Sequence, residues 1–184
     1  MPPIPAWTSL HPLIIHFPIA LLFVAPLFVL VAALGRRVGS GWSLAALVLM
    51  VLGTLSLFVA VATGEAAGQL VERTPQISAA LERHESLAET GQVVFSLLTL
   101  AFASLVLVPL VLKRELKGWI NHSATALFLL IYMGGLAHLT RLAHEGGRLV
   151  HEFGVRSIVA PAGPSTAEPS LTPAPEEAHE KEEH

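Results

Sequence analysis

The chain contains no cysteine. That excludes a disulfide framework, thiolate-ligated iron–sulfur clusters and the C-x-x-C-H attachment of c-type haem. Any cofactor must therefore be held by histidine, carboxylate or packing. Charge is scarce as well: 14% of the 184 residues are charged, against roughly 25% in soluble domains. Aspartate is absent altogether. No basic patch of the kind nucleic-acid binding needs is present, so nucleic acid is not an expected partner. The usual catalytic signatures are missing too. H-E-x-x-H, the paired E-x-x-H of carboxylate-bridged di-iron bundles, a nucleophile elbow and a phosphate loop do not occur, which disfavours a hydrolytic enzyme. The opening "MPPIPAWTSL" has no Lys or Arg and so lacks the n-region of a signal peptide. The first apolar run is expected to be a retained membrane span.

What the chain has in abundance is apolar surface: 53% of its residues are hydrophobic, with a mean hydropathy of +0.63. The net charge of −3 is set by the end of the chain, where residues 168–184 hold six Glu and one Lys. Four apolar stretches, at about 13–34, 42–62, 93–112 and 119–139, are long enough to cross ~30 Å of hydrocarbon. An open sheet cannot satisfy its backbone in lipid. The expected fold is all-α: a four-helix transmembrane bundle over residues 1–158, followed by a disordered Pro/Ala/Glu-rich tail over 159–184. Pro18 and Pro26 each remove a hydrogen bond from the first span, which is expected to kink or unwind.

Arg36, Arg37, Lys113, Arg114 and Lys117 concentrate in the first and third connections, which predicts that these face the cytoplasm. Both termini and the long connection at 63–92 then face outward, which in a bacterial inner membrane means the periplasm. That long connection is predicted to be helical. Thr74 is placed to N-cap it, with Pro75 at the first helical position. Gly64 and Gly68, four apart at the end of the second span, either permit close helix approach or simply end a helix.

The histidines carry the functional argument. Leaving aside His179 and His184 in the tail, only His122 falls at the cytoplasmic end. His11, His16, His84, His138, His144 and His151 all fall at the outer end. The orientation was assigned from Lys and Arg alone, so this gathering is independent of it. One interfacial histidine is ordinary; six at one depth, from three segments, either mark a functional site or serve together as interfacial anchors. His11 and His16 are five residues apart and diverge by about 140° on an intact helix. The expected division turns His16 into the bundle and leaves His11 at its rim.

Haem is the first candidate, because imidazoles from two facing helices can take both axial positions of the iron. Arg141 or Arg148 could pair with the propionates, unless both are ordinary interfacial anchors. A zinc or copper site is the alternative, built from His84 with Glu85 or Glu89 and a histidine from another helix. Glu65, Glu85 and Glu89 could accept released protons or simply solvate the outer connection.

The elements "HPLIIHFPIALL", "ATGEAAG", "RHESLA" and "AHEGGRLVHEFGV" resemble a family of bacterial four-helix membrane proteins catalogued as a domain of unknown function. The resemblance covers about residues 9–156. It implies His11, His16, His84 and His144 as the family-like histidines, while His151 stands where the family's closing element has tyrosine. Some relatives are joined to Rieske-type or c-type cytochrome modules, which implies redox company and favours haem over zinc. The expectation is a membrane cytochrome subunit holding one or two b-type haems. His16 is expected as one axial ligand and His84 or His144 as the other. Its expected partners are membrane lipids, a quinone or a periplasmic donor, and other subunits of a complex. The rival is a non-catalytic structural subunit of such a complex.

Overall fold

The computed structural model of the chain describes residues 7–34, 41–113 and 117–155. It contains five helices: α1 (His11–Ile14), α2 (His16–Leu34), α3 (Gly41–Gly68), α4 (Pro75–Leu112) and α5 (Gly118–His151). A short 3-10 turn at Trp7–Ser9 precedes them. No strand occurs among the described residues, and four helices are long and apolar enough to span a membrane. The expected tail lies outside the described residues, as do Arg36, Arg37 and Arg114 of the orientation argument.

Chain neighbours pack on one another and α2 closes the ring on α5, while among the described residues the backbones do not approach closely across either diagonal. The result is a four-helix ring enclosing one core. Its middle is aromatic. Phe95 meets Tyr132 edge-on with ring centres 5.9 Å apart, and Phe102 stacks on Phe128 at 4.9 Å. Outward positions such as Leu55, Leu97 and Leu130 are exposed, as a lipid-facing surface requires. Lipid is as apolar as leucine, so burial gives little drive for these helices to associate and interhelical hydrogen bonds add to packing. Several such bonds join adjacent helices. Thr54 and Thr99 share a hydroxyl bond of 2.8 Å between α3 and α4. His138 Nε2 donates to the Leu87 carbonyl at 2.9 Å between α5 and α4. Tyr132 donates to the Leu22 carbonyl at 2.8 Å between α5 and α2.

The prolines explain local departures from a plain helix. The helix runs on through Pro26, which has no N–H to offer the carbonyl four residues back. That carbonyl is Leu22, and Tyr132 fills the missing donor's place. Pro18 likewise leaves Ile14 without its helical partner. The hydrogen-bond ladder is interrupted there, at Ile15 between α1 and α2, while the backbone of Ile15 keeps helical angles of φ −58° and ψ −24°. Of the kink or unwinding expected of the first span, the structure shows this lost bond at its start, with the backbone still in the helical region.

The apolar stretches understate the helices. The 38 residues of α4 measure about 57 Å at ~1.5 Å per residue, nearly twice the hydrocarbon thickness. Its first turns therefore project beyond lipid, as the sequence predicted for an unbroken helix entering the third span. Thr74 caps it in an extended conformation, its hydroxyl accepting from Ile77 N–H at 3.3 Å, and Pro75 takes the first helical position. Likewise α5 passes through Gly146 and Gly147 to His151. These extensions build the end of the bundle that carries the α3–α4 connection.

Candidate functional site

A chamber of about 630 Å³ opens inside that end, walled by all four long helices and α1. Small-molecule and cofactor sites fall at about 300–1,000 Å³ and are mostly apolar with a few placed polar groups. The deep wall fits that description: Pro18, Ile19, Leu57, Val61, Ala88 and Leu139. The polar lining comprises His11, His84 and His151 with Glu65, Glu72 and Glu85.

His11 arrives on α1 seven residues before buried Pro18, a spacing that puts both on the same inward face of a helix. Its Nδ1 lies 2.9 Å from the Ala60 carbonyl and 3.3 Å from the Thr63 hydroxyl. A carbonyl only accepts, so Nδ1 carries the proton and Nε2 is left with a lone pair. This is the tautomer that a metal-ligating histidine adopts when a backbone carbonyl orients it. Thr63 is fully buried and its own hydroxyl donates to the Val59 and Ala60 carbonyls, which holds the arrangement rigid.

His84 enters from α4. Its Nδ1 is buried and makes no well-formed hydrogen bond; the backbone of Leu142 is the polar group nearest to satisfying the ring, which leaves His84 less firmly committed than His11. The two imidazoles are near enough for their charges to interact.

Glycine makes both seats. A Cβ on Gly64 would stand 2.9 Å from His11 Cε1, and one on Gly146 would stand 2.9 Å from His84 Cε1. One turn beyond Gly64, a Cβ on Gly68 would meet Glu85 Oε1 at 3.3 Å. Gly64 and Gly68 therefore receive side chains from other helices. Each ring brings its Cε1 against the glycine of a helix opposite its own.

The structure reverses the expected division of the first pair. His11 turns in and His16 is exposed. The inward face of α2 is Pro18, Leu22, Ala25 and Val29, and His16, two residues before Pro18, points about 200° away from it. His144 is exposed for the same reason, standing two residues after buried Leu142. Neither lines the chamber. His138 is committed to the Leu87 carbonyl. Arg141 is exposed and does not line the chamber. Arg148 is taken up by carboxylates on its own helix end, reaching Glu145 and Glu152 at 3.0 Å each. Of the six residues expected at a cofactor, the chamber brings together His11 and His84, and it adds His151.

Among the described residues no group of three His or Glu side chains is disposed to hold a metal ion. A second hollow of about 420 Å³ lies near the opposite end, lined by Phe28, Gly41, Leu44, Ala45, Val48 and Leu49. It offers no polar side chain.

Neither the curated proteins nor the solved structures contain a match to this sequence. A family model does match, over residues 8–158, which spans every described helix and both imidazole seats. The chain belongs to the family described as a predicted membrane protein, DUF2231.

Proposed function

We propose that this membrane protein is a b-type cytochrome-like electron-transfer subunit, holding one haem between His11 and His84. The observation that carries the reading is the pair of imidazoles from α1 and α4 facing one apolar chamber. One has its Nε2 lone pair fixed by a carbonyl, and the other has a buried nitrogen that makes no well-formed hydrogen bond. The fit extends to size, to the apolar deep wall and to the glycine seats that a Cβ would close. Haem iron needs two axial side chains, so the lack of a three-ligand cluster does not weigh against it. His16 and His144 point elsewhere, which argues for one haem.

Bound there, haem supplies one-electron iron chemistry. The chain's part is to orient and exclude. Ala60 and Thr63 fix the His11 ring. Gly64 and Gly146 let both rings lie close to neighbouring backbones, and the leucine and isoleucine walls keep water away. Following the Lys/Arg distribution, we place the chamber end on the periplasmic side of a bacterial inner membrane. A quinol or a periplasmic redox protein is then the partner that exchanges electrons with it, beside other subunits of the complex.

Purification in mild detergent with oxidised and reduced visible spectra tests the reading. A Soret band that sharpens on reduction, with resolved α and β bands, is expected. His11→Ala and His84→Ala each lose that six-coordinate spectrum, whereas His122→Ala, at the other end, keeps it. A folded protein that stays colourless after haem is supplied refutes the assignment.

A further inference from the structure

We infer that His151 holds the carboxylate edge of the macrocycle at the mouth of the chamber, in place of the arginines the sequence suggests. The inference rests on the haem reading. Iron protoporphyrin has an apolar edge of vinyl and methyl groups and an opposite edge bearing two propionates. The chamber is polarised in the same way. Its deep end is wholly apolar, and its polar side chains other than the two proposed ligands lie toward the α3–α4 connection and the end of α5. The macrocycle therefore enters apolar edge first, and its propionates finish at the mouth.

An anion there needs a donor. Glu65, Glu72 and Glu85 line the same region and repel a propionate. No Lys, Arg, Ser, Thr, Asn, Gln, Trp or Tyr lines the chamber among the described residues. Arg148, the nearest arginine in sequence, is spent on Glu145 and Glu152. His151 is left as the one lining side chain, apart from the two ligands, that can donate to an anion. It occupies the last position of α5, is exposed and engages no other side chain among the described residues. Its position is fixed by the turn that follows. Phe153 N–H bonds the Arg148 carbonyl at 3.3 Å and Val155 N–H the Leu149 carbonyl at 2.9 Å, with Gly154 at φ +67°. That turn brings Phe153 and Val155 over the chamber beside His151.

The test compares ferric haem with its dimethyl ester, which binds iron identically but has no charged edge. Both are titrated into the full chain in detergent and followed by the Soret band. The wild type is expected to prefer the free acid by about tenfold, as one hydrogen bond to a charged group provides. His151→Ala brings the ratio of the two affinities toward one by weakening the acid alone. His151→Gln, which keeps a donor, retains part of the preference, and Arg148→Gln retains all of it. A wild type without preference, an undiminished preference in His151→Ala, or its loss in Arg148→Gln overturns the inference. In each of those cases the six-coordinate spectrum persists. If neither compound gives that spectrum in the wild type, the haem reading itself has failed and this inference with it.

Discussion

Tyr132 and Pro26 form a pair whose energetics can be worked out in advance. Pro26 deprives the Leu22 carbonyl of its helical donor, and the Tyr132 hydroxyl supplies one at 2.8 Å from a side chain with no solvent exposure. Tyr132→Phe keeps the ring and its packing on Phe95 and Phe128 and removes only the donor. A buried carbonyl left unpaired costs about 1–3 kcal/mol. Interhelical hydrogen bonds measured in a membrane protein average about 0.6 kcal/mol and reach about 1.7. Both Leu22 and Tyr132 are fully buried and no water can substitute, so the upper part of the membrane range applies: about 1–2 kcal/mol. Pro26→Ala restores a backbone N–H to the same carbonyl. In that background Tyr132→Phe should cost about half as much or less, because the carbonyl is already served. Reversible unfolding in mixed micelles with increasing denaturing detergent measures all four corners of the cycle. Equal costs of Tyr132→Phe in the two backgrounds would show that the hydroxyl does not compensate the proline.

Four further outcomes follow from the geometry. Gly64→Ala and Gly146→Ala each place a methyl 2.9 Å from an imidazole carbon; each should lower haem affinity at least about tenfold, the scale on which orienting contacts around a metal act. Gly147→Ala has open space around its Cβ and should leave the Soret titration unchanged. His16→Ala and His144→Ala, on exposed positions, should leave the oxidised and reduced spectra as in the wild type. His138→Ala removes the bond to Leu87 and should destabilise the fold by about 0.6–1.7 kcal/mol in the same micelle assay, with no change in the spectrum.

The bundle was legible because each span repeats one simple constraint, about twenty apolar residues without strand chemistry. The cap at Thr74 and Pro75 was legible because it is local. The gathering of histidines at one end was legible because successive spans run in opposite directions, so position along the chain fixes the end of the bundle. Which histidines turn inward depended on knowing the buried stripe of the first span. His11 stands seven residues before buried Pro18 and shares its face, whereas His16, two residues before it, falls off that face. His144 was recoverable: Leu142 and Leu149, seven apart, mark the buried stripe of α5, and His144 falls off it. The glycine seats were not recoverable. Gly64 and Gly68 read equally well as a helix end. Only the approach of His11 and Glu85 from other helices shows what the absent side chains make room for.

That approach explains why a void exists in a bundle otherwise filled to its axis. At the level of Phe95, Tyr132, Phe102 and Phe128 the inward positions carry rings, and the helices close on them. One to four turns further toward the α3–α4 connection the inward positions become Gly64, Gly68, Ala88, Ala143 and Gly146. Protein interiors pack with few voids larger than a water molecule, and alanine at Gly64 or Gly146 would strengthen its helix but strike an imidazole. Each helical glycine forgoes roughly 0.5–1 kcal/mol relative to alanine. A chain selected for stability alone would not repeat that loss at three points around one cavity. Two of the three vacated volumes are occupied by imidazole rings and the third faces a carboxylate. The small residues and the polar ones are therefore one device: the first open the chamber, and the second face into it.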